Sequence, residues 1–129
     1  MAQNNDQVFQ IQLAKNGRVI ASRALMANTL RARMVGLLGR SGLSQGEALV
    51  FPRCTAIHTI GMRFAIDVIF IDRAWRVVAV RSGLVPGRLA VAAGKAWGVI
   101  EAAADVIQRA QIEVGDQLEI SHDKANTQC

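Results

Sequence analysis

Cys54, His58 and Met62 put a thiol, an imidazole and a thioether at positions i, i+4 and i+8 of one short stretch, and Thr59 adds a hydroxyl. On a helix the first three would share a face and suit a soft metal such as Cu(I) or Zn. Pro52, Gly61 and the β-rich flanks argue against a helix. No metal and no cofactor are therefore expected, and Cys54 and Met62 read as packing residues. Cys54 and His58 form an alternative pair, nucleophile and base, with Asp67 as the group that would orient the ring. Such pairs more often meet from distant parts of a chain, so a hydrolase or transferase stays a second reading.

Two carboxylates lie where carboxylates are expensive. Asp67 interrupts the apolar run Ile66–Ile71, where an unpaired charge would cost several kcal/mol. It therefore needs a partner: Arg33, Arg63, His58 or backbone N–H groups. Strand alternation places Asp67, Ile69 and Ile71 on one face and Ile66, Val68, Phe70 and Asp72 on the other. An inward Asp67 marks a polar pocket, which is the expectation adopted. Glu101, inside Trp97–Ala103, poses the same question. If both faced one cavity, one carboxyl would titrate high and an acid–base pair would follow. Separate neutralisation of each by an arginine is preferred.

The elements that must position these groups follow from pattern and punctuation. Val8–Ala14 alternates at period two and ends at Lys15-Asn16-Gly17, a strong hairpin signal leading into Arg18–Ala21. Asn28 or Thr29 caps a helix whose stripe is Leu30, Met34, Leu37 and Leu38, ended by Gly39 and Gly42. Ala48–Phe51 is a short strand stopped by Pro52, Arg53–Gly61 is irregular, and Ala65–Ile71 is the central strand. Asp72 caps a turn before Trp75, and Arg76–Val80 returns as a strand. Ser82-Gly83 and Pro86-Gly87 mark a long loop. Trp97–Ala103 is a strand, Asp105–Ala110 a helical turn or two, and Gln117–Ile120 a last strand. Trp75 and Trp97 read as packing aromatics.

At 129 residues with 51% hydrophobic residues, one domain with its own core is expected, ordered over about 7–121. No apolar run approaches the ~20 residues of a membrane-spanning helix, and the polar start MAQNNDQ lacks the pattern of a secretory signal. The two cysteines, Cys54 and Cys129, read as reduced thiols and fit a cytoplasmic protein. The net charge of +5 is uneven. Arg18–Arg88 holds eleven arginines against Glu47, Asp67 and Asp72, whereas Glu101–Asp123 holds six acids against Arg109. Arginine favours bidentate grips on carboxylate or phosphate. Singly spaced arginines with few aromatics between them disfavour nucleic acid, which ranks third.

The order Arg33…Gly36-Leu37-Leu38, Ala48-Leu49-Val50-Phe51, His58–Asp72, Val77-Val78, Pro86, Val99-Ile100-Glu101 and Gly115-Asp116 resembles the prokaryotic domain of unknown function 192 family. The resemblance covers about residues 25–120, and its most specific piece is Ile66–Asp72. It implies a compact β-rich domain without an assigned activity. Many members have Trp-Met-x-Asn-Thr where this chain has His58-Thr59-Ile60-Gly61-Met62, a Pro at Ala65, and a Leu-Pro-Ala-Gly-like turn at Ala102–Asp105. A position that accepts Trp or His suits a packing ring better than a metal ligand.

The expected fold is α+β: mostly antiparallel strands in a small curled sheet or barrel, with one or two short helices. The expected function is a binding or accessory module whose Arg-containing pocket takes an anionic small molecule or peptide. Its ligand-binding residues would be Arg33, Cys54, His58, Thr59, Met62, Asp67 and Glu101.

Overall fold

The computed structural model describes residues 8–27, 41–92 and 94–122. The expected helix at 28–38, and with it Arg33, lies outside them, as do 1–7 and 123–129. The strands are β1 (Val8–Leu13), β2 (Val19–Met26), β3 (Glu47–Pro52), β4 (Ala56–His58), β5 (Ile66–Ile71), β6 (Val77–Leu84), β7 (Leu89–Val91), β8 (Gly98–Ala103) and β9 (Leu118–His122). One short helix, α1 (Val106–Ala110), joins the last two.

Seven strands form one mixed sheet in the order β6-β5-β8-β3-β2-β1-β9, and β4 and β7 form a separate two-stranded ribbon. Among the described strands only β2 and β3 run parallel; such a pair needs a crossover rather than a hairpin. Asn16-Gly17 makes the β1–β2 hairpin, with Gly17 at φ 72° and its N–H bonded to the Leu13 carbonyl at 2.8 Å. The sheet curls until its outer strands touch. Arg76 bridges Gln117, and Val77 N–H reaches the Asp116 carbonyl at 2.8 Å. That contact is confined to one end, so the sheet is curled and not a closed barrel.

β5 and β8 are second and third in the sheet order, not at its centre as the sequence suggested for β5, yet both are buried along their whole length. Ile69, Ile71 and Ile100 face a core closed by β1, β2, β9 and α1. Ile66, Val68, Phe70 and Val99 face a second core under Ile57, Met62, Ala90 and Ala92. Each large side chain buried here contributes roughly 1.5–3 kcal/mol, so these two strands dominate the hydrophobic term. Trp75 packs on the first core, edge-on to Phe9 with ring centroids 6.5 Å apart. Asp72 caps the turn as expected, its Oδ1 accepting from Ala74 and Arg76 N–H at 2.9 Å each.

Three expectations need correction. The stretch read as irregular contains β4, whose Ile57 packs in the second core. Pro52 ends β3 from inside it. β6 does not stop at Val80 but runs to Leu84, through Ser82-Gly83. Between the pairs Ile66–Leu84 and Val68–Arg81 the register slips by one residue, and Gly83 sits at φ 63°. The glycine marks a β-bulge rather than a loop.

Replacing Phe70 by Ala is expected to lower unfolding stability by about 3–5 kcal/mol, whereas Leu89→Ser at the exposed ribbon shifts it by less than about 0.5 kcal/mol. Urea denaturation of the two variants checks the contrast, and equal losses would contradict this description of the core.

Candidate functional site

Asp67 is fully buried and faces the first core. Its partners are backbone amides: Gly83 N–H donates to Oδ1 and Ile107 N–H to Oδ2, both at 2.8 Å. Backbone N–H groups, one of the partners the sequence allowed, thus meet the carboxylate; among the described residues, which do not include Arg33, no arginine lies within ion-pairing distance. The bulge produces the first bond, because one residue of β5 opposes two of β6 and the Gly83 amide turns inward. The second bond caps a helix from outside. Asp105, at the N-cap, is left-handed (φ 80°) and makes no side-chain cap bond. The Ile107 amide, one of the orphan donors of the first turn, is satisfied by Asp67 from β5 instead.

Glu101 is also buried, on the neighbouring strand, where Val68 pairs with Glu101 and Asp67 with Ala102. Directly paired residues share a face. Glu101 therefore lies on the second-core side with Val68, opposite to Asp67. The two carboxylates are close in the sheet but cannot work on one substrate, and the acid–base pairing conceived for them is excluded.

The His58 stretch divides in the same way. Cys54 is half-buried against the second core, its Sγ 3.0 Å from the Ala56 carbonyl. Met62 is buried in that core. His58 is exposed on the outer side of the ribbon, its Nδ1 accepting from Ile60 N–H at 3.3 Å. Among the described residues no hydrogen bond joins Cys54 to His58, and no three His, Cys, Asp or Glu groups are placed to hold a metal. Thr59 is fully buried. Its hydroxyl donates to the Val85 carbonyl at 2.7 Å and accepts from Arg88 N–H at 2.9 Å, which pins the 85–88 turn to the end of β4.

A cleft of about 300 Å³ opens elsewhere, between the start of β2, the loop before β3 and α1, lined by Arg18, Ser22, Gln45, Gly46, Val106 and Arg109 among others. Arg18 Nη1 donates to the Arg109 carbonyl at 3.3 Å, placing a cation at the last turn of α1, where the helix exposes its carbonyls. Neither arginine has a carboxylate within 4 Å among the described residues. Gly46 (φ 91°) stands so close that an added Cβ would lie 2.7 Å from Ser22 Oγ. Sequence reasoning passed over this cleft because Arg18 and Arg109 are 91 residues apart. The only local signals were an arginine directly after a hairpin glycine and a lone arginine in an acidic segment.

A curled mixed sheet with one described helix defines a small α+β domain. The chain belongs to the DUF192 family, described as "Uncharacterized ACR", whose profile matches residues 10–120. It is 31% identical over 107 residues to a UPF0127 protein of Thermococcus sibiricus, covering 80% of this chain and 69% of that one. A protein of unknown function from Novosphingobium aromaticivorans DSM 12444 superposes with a TM-score of 0.72 at 24% identity, over 87% of this chain and 83% of the other. A Sinorhizobium meliloti 1021 protein, whose crystal structure is described as that of a candidate transcription regulator, gives 0.76 at 18% identity, over 92% and 96%. At these identities both structures show a shared fold alone.

Removing the carboxylate by Asp67→Ala strands a buried donor and is expected to lower stability by roughly 2–3 kcal/mol. The readout is a lower urea midpoint at unchanged m-value. A loss below about 0.5 kcal/mol would mean that the two amides find other acceptors.

Proposed function

We propose that this domain is a binding or accessory module that recognises a small anionic molecule or an anionic peptide end through Arg18 and Arg109. One observation carries the reading. Two guanidinium groups without carboxylate partners among the described residues border a cleft that also offers a hydroxyl (Ser22) and an amide (Gln45). Planar guanidinium groups grip carboxylate and phosphate oxygens bidentately, and hydroxyl and amide groups fix orientation.

Asp67 belongs to this reading as a positioning residue. It holds the first turn of α1, and α1 carries Arg109. Thr59, Cys54 and Met62 support the ribbon and the second core instead, and no step of the reading needs a nucleophile. The arginine-rich span and the description of the S. meliloti neighbour raise duplex DNA as a competitor for the same cations, which salt dependence separates. Binding that neutralises many phosphates falls steeply with salt, whereas a cleft that takes one anion loses little.

Thermal unfolding with inorganic pyrophosphate, citrate and a short DNA duplex tests the proposal. A small anion at about 100 times its Kd adds roughly 2.7 kcal/mol of stability, and Arg18→Ala or Arg109→Ala is expected to weaken its affinity about tenfold, or ~1.4 kcal/mol. No stabilisation by either small anion, or stabilisation indifferent to both substitutions, would overturn it.

A further inference from the structure

The β4–β7 ribbon shares no residue with the cleft and presents a different kind of surface. Its inner side, with Ile57, Ala90 and Ala92, covers the second core. In the ribbon Ala56 pairs with Val91 and His58 with Leu89. Paired residues share a face, so these four point outward. Leu89 is 68% and Val91 51% exposed, and at the Thr59 end of the ribbon Ile60 is 62% and Val85 44% exposed. Single exposed aliphatics are ordinary; four on and beside one small ribbon form a patch.

The backbone of β7 is open as well. Thr59 N–H donates to the Arg88 carbonyl at 2.8 Å and Ala92 N–H to the Thr55 carbonyl at 3.0 Å. Those bonds turn Arg88, Ala90 and Ala92 toward β4, which turns the N–H and C=O of Leu89 and Val91 the other way. Among the described residues the Val91 carbonyl has one contact there, from Arg81 Nη2 at 3.4 Å. A strand edge in this state is a template for a further strand.

The exposed charge of the stretch that contains the ribbon is mostly of one sign. Between Arg53 and Val99 the chain carries six arginines and Lys95, with only two carboxylates, Asp67 and Asp72. Asp67 is buried and Asp72 is engaged in its turn. Arg53, Arg81 and Arg88 are exposed beside the ribbon. A second copy of this surface would meet like charge.

We propose that β7 docks an extended acidic segment of a partner protein by strand addition, with alternate apolar side chains on Leu89 and Val91 and its carboxylates on Arg81 and Arg88. Main-chain bonding supplies affinity in this mode, and the alternating side chains supply selection. A lipid surface has no backbone to pair with the Leu89 and Val91 amides. Single-stranded nucleic acid calls for exposed aromatic platforms, and among the described residues His58 is the one ring on the outer face. The peptide is the occupant that uses every feature present.

The test is an amide-resolved NMR titration of the full chain with a short peptide of alternating Glu and Val, and with its Lys–Val counterpart. The acidic peptide should shift the resonances of Ala56–His58 and Leu89–Val91 and slow exchange of the Leu89 and Val91 amides. Leu89→Asp and Val91→Asp, both at exposed positions, should each weaken it at least ~10-fold at unchanged melting temperature. Four results would each overturn the proposal: no perturbation at about millimolar peptide, equal binding of the Lys peptide, shifts confined to Arg18 and Arg109, or binding of phosphatidylglycerol vesicles that Leu89→Asp abolishes while the peptide does not bind. Because the cleft and the ribbon have separate variants, failure here leaves the anion cleft to stand or fall by its own experiment.

Discussion

One carboxylate sets the constraint that the rest of this domain satisfies. Asp67 is the second residue of a strand whose other five residues are Ile, Val and Phe, all buried. A charge in that position must be met by hydrogen bonds, since desolvation alone would outweigh what any single neighbouring side chain contributes. Two amides meet it, one from a bulge in β6 and one from the first turn of α1. The carboxylate therefore ties the bulge of β6 to β5 and brings α1, which belongs to no ladder, onto the same strand. A helix of five residues has no stability of its own; α1 holds its place through Val106, Ile107 and Ala110 in the first core and through this cap.

The consequences reach the surface. With α1 held, Arg109 stands at its last turn and Arg18 comes in from the hairpin to bond its carbonyl. The cleft is thus assembled from the start of β2, the loop before β3 and α1, around a helix held by β5. On the other side of β5 and β8 the second core supports a ribbon that no further strand covers among the described residues. Among the described residues Arg18 borders the cleft, and Arg53, Arg81 and Arg88 are exposed beside the ribbon.

Much of the fold was legible in the chain, for identifiable reasons. Asn-Gly between alternating runs has few structural alternatives, and it made the hairpin. A β-branched run such as Ile66–Ile71 has the right length and composition for a buried strand, and a carboxylate inside it demands a partner. The identity of that partner was not legible. Backbone amides carry no residue signature, and a bulge glycine looks like a loop glycine. β4 was missed because three residues, only one of them inward, leave almost no periodic trace. The separation of Asp67 from Glu101 depends on strand register, which decides which residues share a face and which a local pattern does not encode.

The most direct test is the through-hydrogen-bond scalar coupling between the Asp67 carboxylate carbon and the amide nitrogens of Gly83 and Ile107 in isotopically labelled protein. Both couplings should be detectable, with both amide protons protected from exchange. Absence of the couplings together with solvent-rate exchange at Ile107 would contradict the account: the carboxylate would not be the cap of α1, and nothing in the core would hold Arg109 beside Arg18.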